Sequence, residues 1–502
     1  MAHAVARRAG PAWGLLAGAA LGLSPVLFDV SGVGAIDHHF LEPPLVLGVA
    51  LATARALRSR PGRDAVRSAL LLALAIVLAL LVQPALLVAA ALALLSAVLL
   101  RPPPAGSTAV SGGLLGAAAA VAAWRLVQPA GYPEEAWYLG WPHVAALLGA
   151  SAAAALLSSF ARRGVAAPAA VPAALLGGGL AALAVPGAGT SLLEGIAFFG
   201  GDPWLDTIVE FGPLFLPPFR DPGTDLLRFG GVALASLAAT ALAGIPATAG
   251  RRTLLVFAWG SLAAALTSGR FAPVAATLLV VAAVLDARDL LSMRRVLAAS
   301  AIAALLLVPS GLSLLLAPPP DPTARDLSGP FRRAASFLSS APPGRVLGPW
   351  SWGHLLHLGS GRGVLADGFG PWGRKGEFEN ALSALLSIDE DVAADFCARH
   401  GVRWVVLDNP LLVLPRYAET LRRPASAYLR PGPSPRDAPR VTHLCQATFW
   451  WRAYFGRGAP LPPAGPFGRP FTRFRLVWAD GQRAPVPPPW DGPAAQVWEL
   501  VR

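Results

Sequence analysis

In the segment Asp37-His38-His39-Phe40-Leu41-Glu42, four ionisable side chains crowd into six residues just before an apolar run that starts at Pro43. Ionisable groups at such a boundary are costly to bury and commonly mark a site. Asp37 and His39 set a carboxylate and an imidazole two residues apart, a donor set that suits a divalent cation such as Mn2+ or Mg2+. His38 and Glu42 are further candidates, and all four equally suit a helix end that faces water. A second cluster fills the stretch 187–228, where Glu194, Asp202, Asp206, Thr207, Glu210, Arg220 and Asp221 are interleaved with Phe198, Phe199, Trp204, Phe211, Phe215 and Phe219. An acidic, aromatic segment of that length either closes over an extended substrate as a lid or lies in a membrane interface as an amphipathic helix. Arg270, in Thr267-Ser268-Gly269-Arg270-Phe271-Ala272, joins two apolar runs. A guanidinium there either clamps phosphate oxygens or snorkels to the interface. Finally, Pro349-Trp350-Ser351-Trp352-Gly353-His354, with Asp367 in the following Val364 to Gly370, sets tryptophans around a small polar residue. That pattern fits a shallow peptide- or sugar-binding pocket, or the aromatic core of a globular domain.

These residues must be positioned by a very apolar chain. Of its 502 residues 54% are hydrophobic and 14% charged, where a soluble domain carries about a quarter charged residues. This excludes a soluble enzyme and a disordered chain. The net charge of +12 is no nucleic-acid signal, because the arginines punctuate apolar runs and form no stripe. A membrane-spanning helix needs about 20 apolar residues. Eleven runs are candidates: 12–28, 43–57, 67–83, 85–100, 107–124, 143–160, 166–186, 229–249, 253–269, 271–286 and 296–317. Arginine-rich loops stay in the cytoplasm. With Arg7 and Arg8 inside, eleven spans also keep Arg58, Arg60, Arg63, Arg67, Arg101, Arg162, Arg163, Arg251, Arg252, Arg288, Arg294 and Arg295 inside. The outside then receives the segment around Asp37, the loops 125–142 and 187–228, and the whole tail. The expected architecture is a polytopic α-helical transmembrane domain over 1–317, followed by an extracytoplasmic α/β or α+β domain over 318–502. The tail alternates helix-like stretches (379–400) with β-like runs such as Val402 to Leu407. Cys397 and Cys445, the only cysteines, permit one disulfide but make no framework.

Taken in order and on one side of the membrane, these segments resemble the catalytic subunit of oligosaccharyltransferase, a family of the GT-C type of membrane glycosyltransferases. Gly34-Ala35-Ile36-Asp37-His38-His39 looks like the family's second short acidic motif. Thr207-Ile208-Val209-Glu210 matches the TIXE motif of the bacterial members, Gly269-Arg270-Phe271-Ala272 looks like the family's Arg-Phe segment, and Pro349-Trp350-Ser351-Trp352-Gly353 sits where the family has WWDYG. The resemblance implies an inverting, metal-dependent transferase that moves a glycan from a polyprenyl-diphosphate carrier to the Asn side chain of an acceptor polypeptide. It implies Mn2+ or Mg2+ on Asp37 and His39, catalytic parts for Asp37 and Glu210, and Arg270 on the carrier diphosphate. Thr207, Trp350, Ser351, Trp352 and Gly353 would face substrate, while His38, Glu42, His354 and Asp367 stand close to the motifs without an assigned part. The resemblance also implies an integral protein of a bacterial inner membrane with its C-terminal domain outside the cytoplasm, the lipid bilayer as partner, and no nucleic acid.

Two departures qualify the resemblance. The family's acidic motif follows its third span, and here the motif follows the first. The chain therefore reads as lacking the family's first two spans and the outer loop with the first catalytic Asp; Asp29 is nearby but does not match. Ser351 also replaces the Asp of WWDYG, which puts sequon recognition in question. Two alternatives follow: a GT-C transferase that takes a polyprenyl-phosphate monosaccharide donor and a glycan, lipid or non-sequon protein acceptor, or a catalytically impaired homologue.

Overall fold

Long runs of Ala, Leu and Val in a bilayer fold as helices, because a helix satisfies every backbone N–H and C=O within the segment. The computed structural model describes residues 2–24, 41–128, 139–185, 229–244, 248–292, 295–316, 328–366, 376–430, 440–456, 470–484, 486 and 491–501. It divides into two units, Met1–Pro318 and Pro319–Arg502.

The described residues of the first unit are helical: α1 (Ala2–Ala9), α2 (Pro11–Gly22), α3 (Glu42–Leu57), α4 (Arg63–Val82), α5 (Leu87–Leu100), α6 (Pro104–Leu126), α7 (Trp141–Arg162), α8 (Ala167–Leu183), α9 (Gly231–Ala243), α10 (Ala249–Thr267), α11 (Ala272–Ser292) and α12 (Val296–Leu316). Each of the eleven apolar runs overlaps one of them. Among the described residues, however, only α4, α6 and α7 are long and apolar enough to cross a membrane. The expected count of eleven spans is corrected accordingly. Several of the others fall short for plain reasons: α2, α3, α5, α8 and α9 are shorter, and α11 carries Asp286, Arg288 and Asp289 near its end. Pro84, which lacks an N–H, separates α4 from α5 through a 3-10 turn, Pro84–Leu86.

The faces of these helices follow their surroundings. On α4, Leu70, Leu74, Leu78 and Leu81 recur at helical spacing and are exposed, an apolar stripe suited to lipid. α11 is instead buried almost all round, from Val274 to Leu285, as expected of a central helix. Neighbouring helices approach through small residues. Ser111 Oγ donates to the Ser151 carbonyl and Ser151 Oγ to that of Ser111, both at 2.9 Å, clasping α6 to α7. Between α7 and α8, a Cβ on Gly178 would lie 2.5 Å from the Gly149 carbonyl oxygen. Gly178→Val is therefore expected to destabilise the bundle by about 1–3 kcal/mol through overpacking, whereas Gly179→Ala, which would meet nothing within 4 Å, leaves thermal unfolding in detergent unchanged. Equal melting of the two variants would contradict this packing.

In the second unit a five-stranded sheet has the order β2-β1-β3-β7-β6, formed by β1 (Arg345–Leu347), β2 (Val364–Leu365), β3 (Val402–Leu407), β6 (Phe474–Ala479) and β7 (Gln496–Leu500); β4 (Leu429–Arg430) and β5 (Arg440–Val441) form a separate ribbon. β1 pairs in parallel with β2 and β3, while β7 runs antiparallel to β3 and β6. The helices are α13 (Gly329–Ser340), α14 (Gly353–Ser360), α15 (Glu377–Leu385), α16 (Glu390–Arg399), α17 (Pro410–Thr420), α18 (His443–Ala447) and α19 (Phe449–Gly456). The helix-like stretch 379–400 thus resolves into two helices, the second capped by the Asp389 carboxylate, which accepts the Asp391 N–H. One core joins Phe331, Ala334 and Leu338 of α13 to Val346, Trp404 and Val497 of the sheet. Trp450, Trp451, Tyr454 and Trp498 are also fully buried. Cys397 and Cys445 are both buried free thiols, each pushed up to about 12 by burial, so the structure contains no disulfide between them.

Candidate functional site

Two groups of candidate residues are described, one in each unit. In the first unit α10 and α11 form a hairpin joined by the 3-10 turn Gly269–Phe271. Phe271 is buried and anchors the turn, and α3 packs against both helices. α3 begins with Glu42 followed by Pro43 and Pro44, an acidic residue and prolines where a helix start favours them. This packing brings Glu42 and Arg270 together: Arg270 Nη2 lies 3.7 Å from Glu42 Oε1, with side-chain exposures of 9% and 3%. At that distance the contact is an ion pair, longer than a hydrogen bond. Burial of this degree sets aside the reading of Arg270 as a side chain snorkelling freely. Beside it, Ser268 is buried and its Oγ has no hydrogen-bond partner among the described residues. Ser268 was given no part by its sequence pattern, since a serine between apolar runs carries no signal of its own. At the far end of the hairpin, Arg251 pairs with Asp286 and, at 2.8 Å, with Asp289.

In the second unit the Trp-Ser-Trp-Gly segment stands at the C-terminal end of β1. Gly348 lets the chain pass close to α14, where an added Cβ would fall 2.6 Å from Leu356 Cδ1. The 3-10 turn Trp350–Trp352 closes with the Trp352 N–H donating to the Pro349 carbonyl at 3.0 Å. Trp352 stacks on Phe331, centroids 4.8 Å apart, so this tryptophan belongs to the domain core. Trp350 is half-buried with the Arg416 guanidinium 6.0 Å from its ring centroid, Gly353 is buried, and Ser351 and His354 are exposed.

The neighbouring parallel strand, β3, delivers its own C-terminal end to the same edge. After Leu407 come Asp408, Asn409 and Pro410; the Asn409 side chain accepts the Leu411 N–H at 3.0 Å and starts α17 with a proline in its first turn. The C-terminal ends of parallel strands are where α/β sheets bind ligands. Asp408 is 4% exposed, and its Oδ1 has no hydrogen-bond partner among the described residues. Burial raises its carboxyl to about 7. Tyr417 on α17 is also fully buried, and burial together with the nearby Asp408 pushes its phenol upward. Neither Asp408 nor Tyr417 was a sequence candidate; the only available signal was the polar Asp-Asn-Pro closing an apolar strand.

Asp37, His38, His39, Thr207, Glu210 and Asp367 lie outside the described residues. Among the described residues no group of three or more His, Cys, Asp or Glu side chains is placed to hold a metal ion, and Glu42 is engaged by Arg270.

A helical membrane domain followed by a globular domain with a mixed sheet defines the fold class, and solved structures specify it further. The chain has the fold of archaeal oligosaccharyltransferase. The enzyme AglB from Archaeoglobus fulgidus, in complex with an inhibitory peptide and a dolichol-phosphate, matches at TM-score 0.70 and 15% identity over 98% of this chain and 74% of that one. The same organism's oligosaccharyltransferase tethered to an acceptor peptide with the NVT sequon matches at TM-score 0.63 and 14% identity, over 99% and 77%. Its complex with Zn and sulfate matches at TM-score 0.56 and 16% identity, over 95% and 67%. No protein-family model and no curated protein matches the sequence.

Proposed function

We propose that this protein is a membrane glycosyltransferase of the oligosaccharyltransferase kind, transferring a glycan from a polyprenyl-diphosphate carrier to a protein Asn side chain outside the cytoplasm. The observation that carries the reading is the fold likeness to AglB over 98% of the chain. In this reading residues 1–317 bind the donor within the lipid bilayer, and 318–502 form the soluble domain, outside the cytoplasm of a bacterial inner membrane. The acceptor amide nitrogen attacks the anomeric carbon, the bond to the carrier oxygen breaks with inversion, the diphosphate leaves carrying the bonding pair, and one of the two amide protons passes to that leaving group or to water. Arg270 offsets charge on that leaving group. Asp37 and His39 are the residues that would hold Mn2+ or Mg2+, and such a cation would supply further positive charge for the leaving diphosphate. Glu210 and Thr207 orient the acceptor amide, and the Trp350–Gly353 turn receives the rest of the acceptor peptide.

The exposed Ser351 favours a second reading. It offers a hydroxyl where WWDYG has a carboxylate, which suits a polyprenyl-phosphate monosaccharide donor with an acceptor lacking the sequon. Both readings are tested with the full chain in proteoliposomes, given an undecaprenyl-diphosphate-linked glycan and an Asn-Val-Thr peptide. Glycopeptide formation that disappears in Asp37→Ala is expected. Transfer only from a polyprenyl-phosphate sugar would favour the second reading, and full activity of Asp37→Ala would remove the metal role from Asp37.

A further inference from the structure

The Trp350–Trp352 turn needs a reason to hold one conformation, because its closing bond is local and Ser351 points to solvent-exposed surface. That reason comes from α17. The Trp350 N–H donates to Tyr417 Oη at 3.0 Å. The Tyr417 ring is in turn packed against Trp450, centroids 5.2 Å apart, and Trp450 Nε1 donates to the Asp408 carbonyl at 3.0 Å. Trp450 and Tyr417 are both buried to 1% exposure or less. The backbone N–H of this turn is thereby tied, through two packed aromatic side chains, to the end of the central strand β3.

We propose that Tyr417 is a positioning residue for acceptor binding: its hydroxyl fixes the Trp350 amide and so sets how Ser351 and Trp350 are presented to an acceptor peptide. The proposal rests on the reading of the Trp350–Gly353 turn as the acceptor site. Arg416, the preceding residue, borders the Trp350 ring, so α17 both holds this turn from behind and supplies a cation beside it. A tyrosine suits the task because its ring has little rotamer freedom once packed, and its oxygen accepts without needing a charge.

The test compares the full-length protein with its Tyr417→Phe variant, which removes one oxygen atom and keeps the ring. Three quantities are measured: amide exchange in the 345–356 region, binding of a fluorescein-labelled Asn-Val-Thr peptide by anisotropy, and binding of undecaprenyl phosphate. The expected result is faster exchange at Trp350 and peptide affinity weakened about 3- to 10-fold, the range of one net hydrogen bond, with lipid-phosphate binding unchanged and the melting temperature lowered by only a few degrees. Equal peptide affinity in the two proteins overturns the proposal. So does a parallel loss of peptide binding, lipid binding and melting temperature, which is the signature of a merely structural tyrosine. If the wild type binds no peptide while the Trp350 amide still quickens in the variant, the hydrogen bond stands and the acceptor-site reading has failed, taking the positioning role with it.

Discussion

Arg270→Ala is expected to lower turnover of a polyprenyl-diphosphate-linked donor by about 10²- to 10³-fold, the usual cost of removing one pre-placed group that meets developing negative charge. It should also destabilise the helical unit, because the buried Glu42 loses the guanidinium 3.7 Å away. The two effects have different causes and separate in a second variant. Glu42→Gln/Arg270→Met removes both charges, so most of the stability returns while turnover does not. Arg270→Lys keeps a charge but loses the planar fork that grips two phosphate oxygens at once, and should fall between wild type and Arg270→Ala in turnover. Donor turnover and chemical denaturation in the same detergent check all three. Wild-type turnover in Arg270→Ala would take Arg270 out of the donor site. Unchanged denaturation would show that the Glu42 pair contributes nothing at this buried position.

The Glu42–Arg270 pair also illustrates what was legible in the sequence. Both residues belong to segments marked out by composition alone, ionisable groups at the ends of apolar runs. Their pairing was not legible, because it depends on α3 packing against the α10–α11 hairpin, and no local pattern encodes which helices become neighbours. The same holds for Arg251, which read as one more cytoplasmic arginine. It is engaged by Asp286 and Asp289 at the end of α11. Apolar runs were visible as helices because burial in a bilayer needs only composition, and Pro84 was visible as a break because proline removes a donor. The eleven runs gave more spans than the structure supports: several fold as helices shorter than a span, and charges placed for interhelical pairs, as on α11, sit inside the helix limits. In the second unit, two tryptophans separated by one serine looked alike. Trp352 is a core residue on Phe331, and Trp350 faces α17; only the sheet that sets their helices could distinguish them. Asp408 and Tyr417 were invisible for the same reason, since their importance comes from the parallel pairing of β1 with β3.

Asp408 supplies the second large effect, and its sign follows from linkage. Burial raises its carboxyl from 3.8 to about 7 in the folded protein. Below pH 3.8 both folded and unfolded chains hold the proton, and the contribution to stability is complete. Between about pH 4 and 7 the unfolded chain releases the proton while the folded one keeps it, so stability falls as pH rises. Above about pH 7 the folded protein ionises too, and the loss levels off. A difference of about three pH units corresponds to about 4 kcal/mol. Glu499 works in the opposite sense: Arg403 and Arg475 hold its carboxyl below the ordinary range, so its contribution is lost as pH falls. The two slopes overlap near pH 4, and a wild-type curve alone would confuse them. Asp408→Asn removes only the first. The variant is expected to be more stable than wild type at pH 8, by up to about 4 kcal/mol, and the advantage should shrink steadily toward pH 4. Amide exchange of the β3 segment, Val402–Leu407, reports this directly in the full chain. A constant difference between the two proteins across pH 4 to 8 would show that Asp408 does not titrate in that window. A variant less stable than wild type at pH 8 would show that the buried carboxylate is held by a partner stronger than the desolvation it suffers. Asparagine keeps the shape, so either outcome would be read against the same packing of Trp450, Tyr417 and the Trp350 turn.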